Sequence, residues 1–83
     1  MQDIIILSGK REFKFTGMKI SEITFKTYVK KEKTLNIHVY KTDGRSYVCH
    51  VIDSQLQEVR ELFGFELVNR FLTSKINFYE FYG

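Results

Sequence analysis

Apolar and polar residues alternate through most of the chain. Ile4 to Leu7 is an uninterrupted aliphatic run and reads as a buried strand. Ser8-Gly9-Lys10-Arg11 reads as a turn, and Phe13-Lys14-Phe15 alternates as a second strand. Gly17 marks a further break. Beyond it, Ile23, Phe25 and Val29 (with Thr27 between) face one way, and Thr24, Lys26, Tyr28 and Lys30 face the other. Lys31-Glu32-Lys33 is a polar turn. Leu35, Ile37 and Val39 then alternate against Asn36, His38 and Tyr40.

Asp43-Gly44 between two β-rich runs predicts a two-residue type I′ hairpin, because both residues tolerate positive φ. In that register Val39 pairs with Val48 and Ile37 with His50, while Tyr40 faces Tyr47 and His38 faces Cys49. A helix is expected next. Ser54 can cap it with Gln57 as capping-box partner, and Leu56, Val59, Leu62 and Phe63 form its apolar stripe. Gly64 is placed to end it. Phe65, Val68 and Leu72 fall out of phase with that stripe, so residues 65–75 read as a separate short element. Ile76 to Tyr82, with aromatics on both faces, reads as a closing strand. The expected class is α+β, mainly antiparallel β in the order β-β-β-β-β-α-β, with one amphipathic helix and one domain over residues 1–83.

Composition narrows the classes. Eighty-three residues with 43% hydrophobic content suit a single small domain and exclude a disordered chain. No apolar run approaches the roughly 20 residues of a membrane span, and Ile4 to Leu7 lacks the flanks of a signal peptide. The one cysteine, Cys49, cannot form an internal disulfide, which points to a reducing, cytoplasmic setting. Charge is uneven. Residues 1–45 carry ten Lys/Arg and five Asp/Glu, hence +5; residues 46–83 carry three and five, hence −2; the sum is the net +3. A basic half suggests a polyanionic partner.

Catalytic constellations are thin. His38 and Cys49 side by side would be a thiolate–imidazole pair lacking an orienting third group. His38, His50 and Cys49 fall short of a closed metal site, since the expected pleat sends His50 to the other face. No phosphate-cradling glycine loop, serine elbow or HExxH occurs. Neither enzyme activity, metal nor cofactor is expected. Lys26, Tyr28, Lys30, His38, Tyr40 and Tyr47 on one sheet face mix cations with aromatics, as single-stranded nucleic-acid platforms do.

The order of features resembles the LytTR family of DNA-binding domains. The strand and turn Ile5 to Arg11 match its opening. Ile20-Ser21-Glu22-Ile23-Thr24-Phe25 resembles its Ile-rich strand, and Thr42-Asp43-Gly44-Arg45 its hairpin. Leu56-Gln57-Glu58-Val59 resembles its helix. Phe65 to Ile76 is similar to its Phe-x-x-Val-His-Arg-Ser-Phe-Leu-Val-Asn-Leu pattern, with Asn69 for His, Phe71 for Ser and Ser74-Lys75 for Val-Asn. The resemblance implies a transcription-regulatory protein, shortened at its C-terminus, that contacts duplex DNA through loops. Lys10, Arg11, Lys30, Lys31 and Lys33 would hold phosphates. Arg70 and Lys75 would lie near the groove, and a homodimer would fit. The alternative is a small protein-binding module, such as a regulator or inhibitor carried by a mobile element. It would use Phe78, Tyr79, Phe81 and Tyr82 as anchors.

Overall fold

Among the described residues, five antiparallel strands in sequence order form one curled sheet, and a single helix follows them. The computed structural model describes residues 1–28, 32–53 and 57–82, with Tyr82 described by its backbone alone. The elements are β1 (Gln2–Ser8), β2 (Arg11–Thr27), β3 (Lys33–Thr42), β4 (Tyr47–Ile52), β5 (Gln57–Leu62) and α1 (Phe65–Tyr82). The α+β, mostly antiparallel class is as expected; several element assignments differ.

Gly17 does not break the chain, and β2 runs through it for 17 residues. A Cβ at Gly17 would stand 2.3 Å from the carbonyl oxygen of Lys41, so glycine is what lets β2 and β3 approach here. The irregularity lies three residues on. The pairing shifts between Lys19 and Ser21, leaving Ile20 as a bulge. The bulge exchanges the two faces. Phe13 and Phe15 share a face with Tyr40, whereas Ile23 and Phe25 share the opposite face with Ile37 and Leu35.

The β3–β4 hairpin forms, but one residue out of the expected register. Val39 pairs with Cys49, Ile37 with Val51, and His38 with His50. The cause is the turn. Thr42 N–H donates to Ser46 O at 3.1 Å, the Thr42 hydroxyl donates to the same oxygen at 3.0 Å, and Asp43 N–H donates to Thr16 O at 2.9 Å. Three residues, Asp43 to Arg45, therefore bridge the strands instead of two, and Gly44 does not use positive φ.

The largest correction follows residue 56. Gln57–Leu62 is a strand, not a helix, and the expected cap Ser54 lies outside the described residues. Helix-favouring Gln, Glu, Leu and Arg are overridden by β4. Val48, Cys49 and Val51 are buried, so the backbone of β4 needs a ladder on both sides, and β5 supplies the second. The helix forms instead over residues 65–82, absorbing the short element and the expected closing strand. Nothing between Phe65 and Tyr82 breaks a helix, and Val68, Phe71, Leu72, Lys75 and Tyr79 recur at helical spacing. Gly64, at φ 120, turns the chain, and its carbonyl accepts the first helical bond from Val68 N–H. Glu66 in the first turn complements the helix dipole.

Two apolar layers result. On one face of the sheet α1 packs Val68 and Phe71 onto Leu35, Ile37, Val39, Cys49 and Val51, with Ile23, Phe25, Tyr47, Leu62, Leu72 and Tyr79 around them. On the reverse face Val48 and Ile6 are buried, and Phe15 meets Tyr40 edge to face at 5.4 Å. The curl of the sheet closes this second layer by bringing β1 toward β5.

Candidate interaction surface

The cations expected to hold phosphates do not converge. Lys10 and Arg11 are exposed at the β1–β2 turn. Lys33 opens β3 opposite Thr27, at the other end of β2, and is half-buried. Lys30 and Lys31 lie outside the described residues. Arg70 is paired with Glu66 at 3.0 Å along α1. Lys75 is held by the Glu58 carboxylate, and its ammonium also sits 5.5 Å from the Phe71 ring, whose surroundings include the Arg60 guanidinium at 5.4 Å. Arg60 itself reaches Glu58 at 3.1 Å. Glu58 thus neutralises the basic groups that clamp Phe71 between β5 and α1, and Lys75 serves packing.

The one-residue shift of the hairpin rearranges the titratable groups. Cys49 points into the layer beneath α1 and away from His38, so no thiolate–imidazole pair forms. Burial pushes its thiol up to about 11, which leaves it protonated and unreactive. His38 instead lies beside His50 with ring centroids 6.1 Å apart, in a row completed by Glu22. Glu22 Oε1 is 3.6 Å from His38 Nε2, and His50 Nε2 is 3.1 Å from Gln57 Oε1. Burial holds the His38 pKa below its ordinary value; Glu22 opposes this, while Lys19 and His50 add to it. Among the described residues no three His, Cys, Asp or Glu side chains are placed to hold a metal ion. Nor do the six platform residues share a face. Tyr47 lies on the helix side against Phe65, opposite His38 and Tyr40.

The C-terminal aromatics divide. Phe78 and Phe81 are exposed on α1. Tyr79 is turned inward, packing on the core with its hydroxyl donating to the Asp53 carboxylate, so it is structural. The side chain of Tyr82 lies outside the described residues.

A surface not anticipated lies on the β1–β2 hairpin. Asp3, Ile5 and Leu7 share a face with Glu12, Lys14, Thr16 and Met18, an extension of the face that α1 covers farther along. Beyond the helix it is uncovered: Ile5 is 53% exposed, Leu7 66% and Met18 49%, whereas Ile6, pointing the other way, is 5% exposed. The unbroken aliphatic run Ile4 to Leu7 carried this signal. A strand with one buried face needs only alternate apolar residues. β1 is also the first strand of the sheet and, among the described residues, pairs with β2 alone. No described helix is long and apolar enough to cross a membrane. Compared with known proteins, the chain matches no family model, no curated protein and no solved structure.

Proposed function

We propose that this chain is a small protein-binding module whose outward β1–β2 face is its contact surface. The observation that carries the reading is the exposure of the neighbouring Ile5 and Leu7, with Met18 farther along, on a sheet face that α1 leaves open. Ile5 and Leu7 form an aliphatic pair with Asp3, Glu12 and Lys14 as polar neighbours on the same face, and Met18 lies farther along β2 beyond Thr16, which fits a small apolar centre with a polar rim. Phe78 and Phe81 on α1 supply a second exposed apolar site. Duplex-DNA binding in transcription regulation remains the second reading. Its support is the net charge of +3 and the exposure of Lys10 and Arg11 at a hairpin tip. Arg70 and Lys75 add little to it, each being engaged by a glutamate.

One pair of variants separates the readings. Immobilised native chain should retain a protein partner after nuclease treatment. Leu7→Asp with Met18→Asp should lose that partner at unchanged melting temperature. If retention is indifferent to those changes and Lys10→Glu with Arg11→Glu instead abolishes binding to a labelled duplex, with a salt slope of roughly 0.9 per phosphate contact, the DNA reading replaces this one.

A further inference from the structure

We propose that the seam between β1 and β5 holds a small-molecule site whose ligand is an organic carboxylate with a ring-sized apolar body. The curl of the sheet brings β1 toward β5, and a cavity of about 390 Å³ opens between them, lined by Ser8, Arg11, Phe13, Gln57, Glu58 and Val59. That volume falls within the roughly 300–1,000 Å³ of small-molecule sites. Register explains the lining. Ser8 pairs with Arg11 and Ile6 with Phe13, while Val59 pairs with His50 and Gln57 with Ile52. These residues share the reverse face, where Ile6 and Val48 are buried, so five of the six lining side chains point into the curl. Glu58 alternates to the helix side, where Lys75 and Arg60 hold its carboxylate. The site therefore lies on the face opposite Ile5 and Leu7 and is independent of the protein-contact surface.

The chemistry of this lining is one-sided. Phe13 and Val59 supply apolar walls, and the polar side chains offer donors: the Arg11 guanidinium, the Ser8 hydroxyl and the Gln57 amide. Gln57 Oε1 faces His50 Nε2 at 3.1 Å, which leaves the Gln57 N–H groups to serve a ligand. Among the described residues the Arg11 guanidinium has no ion-pair partner. Its neighbour Glu12 lies opposite Leu7 on the other face. Glu61, on the same face as Val59, accepts the Ser46 hydroxyl at 2.6 Å instead. A cation without an internal counter-charge, beside two further donors and two apolar walls, complements a carboxylate. The planar guanidinium fork grips both carboxylate oxygens, and Phe13 and Val59 cover the apolar body. One guanidinium balances the single charge of a carboxylate, and inorganic phosphate would leave the apolar walls unused.

Titration of the full, isotope-labelled chain with phenylacetate, read from backbone amide NMR shifts, tests the site. One guanidinium contact over a small apolar wall supports roughly millimolar affinity, so the titration runs to about 10 mM. Saturable shifts centred on Ser8, Arg11, Phe13, Gln57 and Val59 are expected. Phenylacetamide, the same body without the charge, should bind at least about tenfold more weakly. Arg11→Gln, at an exposed position where a thermal melt should show the fold intact, should weaken phenylacetate by at least about the same factor. Lys10→Gln removes a neighbouring cation outside the lining and should change affinity by less than about twofold. The proposal is overturned by an absence of saturable shifts, by shifts centred elsewhere, or by equal binding of phenylacetamide, and none of these needs a variant. Native affinity in Arg11→Gln, or an equal loss in Lys10→Gln, overturns it as well.

Discussion

The two hairpins of this sheet start from similar apolar content and end differently. In β3–β4, Leu35, Ile37, Val39, Cys49 and Val51 lie beneath α1, and Val48 on the reverse face is equally buried. In β1 and the first half of β2, by contrast, Ile6 on the reverse face is buried while Ile5, Leu7 and Met18 on the other remain in water. The difference is one of position. The central hairpin has a strand on each side and a helix above it; the first hairpin has a strand on one side only and reaches past the helix. Side chains of one chemical type therefore hold the fold together in one hairpin and are available for contact in the other.

The sharpest way to break this comparison is to truncate matched positions. Ile37→Ala, at a site with no exposure, should cost about 2–5 kcal/mol in urea unfolding. Leu7→Ala should change stability by no more than about 0.5 kcal/mol. Equal costs would mean that β1 packs in solution as the centre does. Next in size is Gly17→Ala, where the two hairpins meet. The new methyl would press on the Lys41 carbonyl, a backbone atom that cannot swing aside, and the loss should be about 1–3 kcal/mol. Unchanged stability would show that β2 and β3 are less closely apposed there.

The smallest expected effect is pH dependence in the central hairpin. Burial, with Lys19 and His50, holds His38 below its ordinary value of 6.5 despite the opposing Glu22, so the unfolded chain binds this proton more readily than the folded one. The contribution of neutral His38 is present above pH 6.5 and fades as the pH falls through its lowered folded value. His38→Gln should flatten the fall in melting temperature between about pH 7 and pH 5. A slope equal to that of the native chain would place the acid sensitivity elsewhere.

Much of the sheet was legible in the residues. The turn at Ser8 to Arg11 and the alternation of Leu35, Ile37 and Val39 follow from turn chemistry and period-two patterning, which are local. The out-of-phase apolar residues after Gly64 correctly signalled a change of element, but not which side of the glycine was helical. Period-two spacing of Phe78, Tyr79, Phe81 and Tyr82 was coincidental in a segment with no helix breaker. The candidate surface was the least legible. Whether Ile5 is core or contact depends on where a helix sixty residues later comes to rest.

Alternation by itself determined the α+β class and its mostly antiparallel strands, because burying an apolar face demands regular spacing whatever the neighbours are. Tertiary structure alone decided three things. The hydrogen bonds of Thr42 and Asp43 set the β3–β4 register and so turned Cys49 away from His38. The need of the buried strand β4 for a second partner drew residues 57–62 out of a helix. The reach of α1 left Ile5, Leu7 and Met18 uncovered. Each depends on groups distant in sequence competing for the same backbone or the same apolar face, and local preference is too weak to settle that competition.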